Sequence, residues 1–533
     1  MKLRIFLAFA GLLGSLYAQR ASTTPGEWKI YGYDNASTRF SPLKQINSSN
    51  VNRLAVNWVL QTGVPGKYET TPLFENGILY LTGPGGHAWA LDARTGRALW
   101  HHERPLPERG MGLCCGPVNR GFALQGDRLF LSTVDAHLLA LDKKTGNVIW
   151  DTVTADYKAG YSATAAPLIV KDKVIVGQAG AEFANRGFID AYSIETGERI
   201  WRFWTIPAPG EPGSETWQDG KDAWMRGGGS TWVTGSYDPD LNMILWGTGN
   251  PAPDLNAAVR PGDNLYSNSI VALDADTGKL KWHFQATPSD THDWDGVGEP
   301  ILADVTMSGQ KRKIVLQANR NGFFYALDRT NGKFLYGFPY VHQTWARGLD
   351  QNGRPIVVPG MEPTKEGKEV CPNLGGGKNW NHAAYNPETG LMYVPSSEGC
   401  EIFYISELED PEPPRMWMGS IHERAAEYPA TGAIQAIEAA TGKKVWEFKS
   451  PTNMRGSVLT TAGDLVFYGD GYGYLIGFQA RTGKVLWKIN TGAGIGRVGG
   501  ISAPPMTYLL DGKQHLAVFA GGALFDFTLP EAQ

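Results

Sequence analysis

The chain has 533 residues, with 49 basic against 53 acidic side chains, 66 glycines, 11% aromatic residues and only 19% charged residues. No basic block is present to track a phosphate backbone, which excludes nucleic acid as a partner. Few charges combined with many aromatic residues and glycines suit short packed strands and tight turns, and argue against a disordered chain.

At the N-terminus, Lys2 and Arg4 precede the apolar run from Ile5 to Leu16, and Ala18 offers a small residue for cleavage. This pattern predicts a secretory signal peptide over residues 1–18, with Leu16 an unusually large residue close to the cut. The run is short for a membrane span, so no span is expected in the mature chain. Cleavage leaves 47 basic residues and a net charge near −6, and export makes disulfides permissible.

Residues 19–533 are expected to form one domain, because a phrase recurs along them. Ala90-Leu91-Asp92-Ala93-Arg94-Thr95-Gly96-Arg97-Ala98-Leu99-Trp100 returns in variants ending at Trp150, Trp201, Trp282, Tyr336, Trp446 and Trp487. An apolar strand ending at Asp, a Thr-Gly turn and a strand carrying an aromatic residue read as a hairpin. Repetition at this spacing marks stacked units that cannot bury their apolar faces alone. The phrase therefore predicts an all-β chain: an eight-bladed β-propeller in which each tryptophan docks between neighbouring sheets. The 110-residue interval before Gly442 is wide enough for two blades, and Tyr385-Asn386-Pro387-Glu388-Thr389-Gly390-Leu391-Met392-Tyr393 reads as the missing, degenerate copy. Asn57-Trp58-Val59 lacks the first half of the phrase and is expected to complete a blade begun by the C-terminal strands, which leaves no long open edge.

Four cysteines are present: Cys114, Cys115, Cys371 and Cys400. Their spacing gives no Cys-x-x-Cys and no haem-attachment motif, so neither zinc nor a haem of the chain's own is expected. Adjacent cysteines have Cα atoms about 3.8 Å apart, which makes a Cys114–Cys115 bridge a strained ring. Pairing of each with a distant partner, or two reduced thiols, stays open on this chemistry.

Four motifs in order carry a family resemblance: Cys114-Cys115-Gly116-Pro117-Val118-Asn119-Arg120, Gly180-Ala181-Glu182, Gly247-Thr248-Gly249-Asn250-Pro251-Ala252-Pro253 and Thr291-His292-Asp293-Trp294-Asp295. From about residue 27 to 528 the chain resembles the quinoprotein alcohol dehydrogenases, periplasmic propellers that use pyrroloquinoline quinone and a metal ion. The resemblance implies a disulfide between Cys114 and Cys115 and a second between Cys371 and Cys400. It implies a quinone lying on Trp232 beneath the sulfur pair, with Glu69, Arg120 and Thr164 around its carboxylates, Gly180 and Ala181 beside it, Asn379 near its rim and Arg320 on its carbonyls. A guanidinium suits carboxylate recognition.

The same resemblance assigns Glu182, Asn250, Asp293 and Asp295 to the metal, and oxygen donors of this kind are what a hard cation takes. If the segment is extended, positions two apart face the same way, so Asp293 and Asp295 address one site. Calcium-using members tend to carry a small uncharged residue where this chain has Asp295, and an acid there resembles the lanthanide-using branch. The expected ion is therefore a lanthanide(III), with Ca2+ the alternative. Asp293 is implied as general base and Arg320 as its catalytic companion, hydride passing from an alcohol to the quinone and electrons onward to a soluble cytochrome c. The oligomeric state is left open, a homodimer included.

Two departures bear on the substrate. Arg455 stands where methanol-type members place a tryptophan, and the segment from Ala520 to Phe525 lacks their Gly-Trp; a larger or more polar alcohol is expected, with a sugar or polyol dehydrogenase as the enzymatic alternative. Ala179 replaces a usual serine. Two long insertions, Pro207 to Gly229 and Ile402 to Thr431, read either as loops that shape an entrance or a partner site or as passive surface loops. A non-catalytic exported propeller is the rival from outside enzymology, and it has no reason to combine Cys114-Cys115, Glu182, Asn250 and Asp293.

Overall fold

The computed structural model describes residues 24–219, 222–428, 430–452, 454, 456–494 and 500–531. The expected signal peptide and Arg455 lie outside these residues. Among the described residues the helices are single 3-10 turns, none of them long and apolar enough to cross a membrane.

The rest is strand. Leu73–Glu75, Ile78–Thr82, His87–Asp92 and Ala98–Glu103 form a four-stranded antiparallel sheet in chain order, and sheets of the same order follow within 123–153, 168–204, 236–285, 301–339 and 384–450. The next, spanning 458–490, gains Phe40–Ser41 as a parallel fifth strand against Val458–Thr461. In the last, Met506–Leu510, Lys513–Ala520 and Ala523–Thr528 pair onto the N-terminal strand Ala55–Gln61, so the strand carrying Trp58 shares a sheet with the chain's other end. Third strands such as His87–Asp92 are buried on both faces, whereas outer strands such as Ala98–Glu103 alternate exposed and half-buried. That is the pattern of sheets stacked face to face with only their outer edges in water.

The recurring phrase has a physical cause that joins one sheet to the next. In the turn, the Asp142 carboxylate accepts from the backbone N–H of Lys144 and Thr145, at 3.0 and 2.8 Å, while Gly146 takes φ +73°. The indole of Trp100, from the preceding sheet, lies over that glycine so closely that a Cβ there would meet the ring at 2.7 Å, and its N–H donates to Lys143 O at 3.0 Å. A side chain at this glycine would be excluded twice, by the left-handed backbone and by the ring. Trp58 stands in the same relation to Gly96 and Ala93 O, Trp150 to Gly197 and Ile194 O, Trp282 to Gly332 and Arg329 O, and Trp446 to Gly483 and Ala480 O. Trp201 covers Gly278, and Tyr336 covers Gly442 while its hydroxyl donates to Ala439 O at 2.7 Å.

One expectation is corrected. Ala384–Asn386 and Leu391–Glu398 are the first two strands of the very sheet whose third and fourth strands carry Gly442, so the Tyr385 to Tyr393 stretch is not a further copy of the phrase. The turn chemistry there is the same, with Asn386 Oδ1 accepting from Glu388 N at 2.9 Å, but nothing lies within 4 Å of a Cβ placed on Gly390. The long interval instead holds excursions outside the main sheets: a hairpin of Ala346–Leu349 with Pro355–Val357, and a small sheet of Lys368–Val370, Glu401–Ile405 and Ser420–Arg424. The expected Cys371–Cys400 disulfide is formed and staples this second excursion.

Candidate functional site

In a four-strand antiparallel meander, the segments entering strand one and the turns between strands two and three share one end; the Thr-Gly turns between strands three and four occupy the other. Glu69, Cys114, Cys115, Arg120, Thr164, Trp232, Asp293, Asp295 and Asn379 lie on segments entering a sheet, while Glu182, Asn250 and Arg320 lie on turns between second and third strands. Topology alone therefore brings every candidate to one end, opposite the repeated turn.

There they form two linked groups. In the first, Arg120 Nη2 pairs with Glu69 Oε2 at 2.6 Å, its Nη1 donates to Thr164 Oγ1 at 2.8 Å, and Lys67 Nζ meets Glu69 Oε1 at 2.5 Å. The Arg120 guanidinium lies over two indoles, 4.9 Å from the Trp232 ring and 5.2 Å from that of Trp380, with Lys67 5.0 Å from the latter. Burial works to raise the Glu69 carboxyl, but Arg120 and Lys67 outweigh it and hold Glu69 below its ordinary range. Lys67, Asn379 and Trp380 line a cleft of about 280 Å³ with Gly375, Gly376 and Ser397.

Asp295 joins this group to the second. Its Oδ2 accepts from Trp232 Nε1 at 3.2 Å and from Arg320 Nη1, and its Oδ1 from Asn250 N at 2.9 Å. Arg320 Nη2 reaches Asp293 Oδ2 at 3.1 Å and Leu374 O at 2.6 Å. A Cβ on Gly249 would come within 2.5 Å of Asp295 Oδ1, so the glycine before Asn250 is what lets that carboxylate reach the backbone. Burial raises the Glu182 carboxyl, with Asp295 adding repulsion, and raises Asp293 well above the usual carboxylate range despite Arg320 beside it. Asp295 is raised too, again by burial first. Three acids crowded out of water around the one guanidinium of Arg320 are a set that a bound cation would compensate.

The geometry differs from the expected one in two respects. Asp293 and Asp295 do not alternate along a strand; their segment is a loop in which Asp293 has φ +59°, held by Asp290, whose carboxylate accepts from His292 N at 2.9 Å and Trp294 N at 2.7 Å. The left-handed residue turns both acids toward Arg320. The Cys114 and Cys115 sulfurs are exposed free thiols 2.8 Å apart, not bonded as the resemblance implies. Gly180, at φ +115°, leads into the 3-10 turn Ala181–Phe183 that carries Glu182. Both insertions lie at this end: Trp417 N donates to Glu182 O at 2.6 Å, and the Arg226 guanidinium lies 6.0 Å from the Trp417 ring. Nothing in the structure explains Ala179.

Three neighbours of this site went unnominated: Lys67, Trp380 and Asp254. Trp380 adjoins Asn379 and Asp254 follows the quoted Pro253, so adjacency was the available signal; Lys67 had only its place two before Glu69.

The family described as "Glucose/ethanol/alcohol dehydrogenase, beta-propeller domain" matches residues 28–344. The chain belongs to the quinoprotein alcohol dehydrogenases. Among members of that family, the quinoprotein alcohol dehydrogenase PedH of Pseudomonas putida is 42% identical over 512 residues, covering 91% of this chain and 84% of the relative. The lanthanide-dependent methanol dehydrogenase of Methylacidiphilum fumariolicum is 37% identical over 555 residues, covering 97% and 89%. A solved quinohemoprotein alcohol dehydrogenase from Comamonas testosteroni superposes with a TM-score of 0.89 at 35% identity, covering 96% of this chain and 82% of that one. A europium-containing methanol dehydrogenase superposes at 0.88 with 33% identity, covering 96% and 99%. A second family, described as outer membrane protein assembly factor BamB, matches residues 430–521.

The described residues fit both groups that this family uses. All four expected metal donors are oxygen-bearing: Asp293 and Asp295 pair with Arg320, whose charge also acts on Glu182, and Asn250 N donates to Asp295; buried nitrogens at Arg120 Nε and Arg320 Nε have no partner.

Proposed function

We propose that this chain is an exported quinoprotein alcohol dehydrogenase of the lanthanide-using type, an eight-bladed propeller of one domain locked by its inter-sheet tryptophans and working in the periplasm. The observation that carries the reading is the bridge at Asp295, which ties the aromatic platform of Trp232 to Arg320 and to Asn250 in one buried cluster.

Trp232 supplies the flat apolar floor for pyrroloquinoline quinone, and Glu69, Arg120 and Thr164 order its polar edge, with Gly180, Ala181 and Asn379 alongside. Glu182, Asn250, Asp293 and Asp295 would hold the ion. When bound, the quinone supplies a hydride acceptor and the ion a Lewis acid. Asp293 accepts the proton of the alcohol hydroxyl; Arg320, donating to Asp293 Oδ2, keeps that carboxylate aimed, and a bound ion would favour its ionised form against burial. The product is an aldehyde or ketone, and a soluble cytochrome c takes the electrons.

Reconstitution of metal-free protein with the quinone and either lanthanum or calcium, followed by dye reduction on a panel of alcohols and polyols, tests this. Turnover of simple alcohols with lanthanum is expected. Activity with calcium alone would remove the role given to Asp295, and no turnover with either ion would leave only the scaffold.

A further inference from the structure

The acid that sequence reasoning passed over is the most exposed to physical contradiction. Asp254 is fully buried, and neither of its carboxylate oxygens has a hydrogen-bond partner. A buried carboxylate without a partner costs several kcal/mol, so a fold that keeps one must offset it.

The nearest cation does not do so. Arg260, itself fully buried, spends its guanidinium on Pro253 O at 2.9 and 3.1 Å, on Asp254's own backbone carbonyl at 3.3 Å, on Asn264 Oδ1 at 2.9 Å and on Asp290 O at 2.6 Å. Those contacts clamp the Pro253–Asp254 backbone to the loop that carries Asp293 and Asp295, and leave the Asp254 side chain unpaired. Besides the charge of Arg260, the groups that act on that side chain are Glu182, Asp295 and Asn250, three of the four residues assigned to the ion.

We propose that Asp254 is a fourth acidic group of the metal site, holding the ion directly or through one water, and that it tilts the site toward a trivalent cation. The inference rests on the metal reading given above. Glu182, Asp254, Asp290, Asp293 and Asp295 share this buried region with Arg260 and Arg320, and with two guanidiniums among five carboxylates it is short of three positive charges. Calcium would leave a buried charge uncompensated where a lanthanide would not. Affinity in oxygen-donor sites follows the count of charged ligands.

The test is a binding titration of the full chain with the quinone present, reading terbium luminescence sensitised by tryptophan, with calcium as competitor. Wild-type protein and Asp254→Asn and Asp295→Asn variants are compared. The proposal expects D254N to weaken terbium binding by roughly 10- to 100-fold and calcium binding less. It also expects the metal-free variant to melt no lower than the metal-free wild type, since the substitution removes repulsion. Should D254N fold poorly, D254S carries the same comparison. Terbium affinity unchanged in D254N but lost in D295N overturns this proposal and spares the metal reading. A wild-type chain that binds neither ion overturns both.

Discussion

The two ends of the sheets follow opposite rules. At one end, the turn between third and fourth strands repeats nearly unchanged, because each turn meets the same kind of neighbour: an aromatic ring from the preceding sheet, an indole in all but one case, pressed on a glycine in the left-handed region. At the other end no two loops are alike, and there buried charge is concentrated. Glu182, Asp254, Asp293 and Asp295 are all raised by burial in the metal-free chain. Repetition carries stability, and departure from repetition carries chemistry, a division expected where function sits on loops held by a rigid scaffold.

Substitutions at the two ends should therefore separate cleanly. The largest effect is expected from Asp293→Asn, which should lower kcat by about 10²- to 10⁴-fold with no change in melting temperature beyond that of the metal-free protein; steady-state kinetics with circular dichroism melts checks it. At the opposite end, Trp282→Ala should cost about 3 kcal/mol in denaturant unfolding while active-site titration finds kcat per folded molecule unchanged. At the irregular end, paired Cys371→Ser and Cys400→Ser should remove about 2 kcal/mol or more and lower kcat as well, because the stapled segment carries Leu374 O, which accepts from Arg320. Gly249→Ala lies at the irregular end, where a Cβ would strike Asp295 Oδ1 at 2.5 Å. There it should weaken metal binding on the order of tenfold, the scale for disturbed support of a metal ligand. A Trp282→Ala protein that loses turnover at full occupancy would break the division.

The repeated end was legible from residues alone, since Asp, Thr, Gly and Trp act across one hairpin and the next sheet. The misread stretch at Gly390 marks the limit of that reading: Asn386 caps its turn as Asp142 does, and only the absence of a ring above it, invisible in a single turn, sets it apart. The irregular end was legible through motif resemblance. Glu69 and Arg320 are far apart in the chain and share no local pattern. Asp293 and Asp295 were paired on strand alternation, whereas a left-handed backbone brings them together. Lys67 and Trp380 escaped because a stack of cation and indole leaves no spacing signature, and Asp254 because a lone acid in a loop is most often at the surface.

The central claim is tested most directly by an anomalous-scattering map of crystals grown with the quinone and europium. The account predicts one strong peak bounded by oxygen atoms of Glu182, Asn250, Asp293 and Asp295, beside a planar ligand lying on Trp232. A europium peak elsewhere on the molecule, with Asp293 and Asp295 still paired to Arg320, would contradict it.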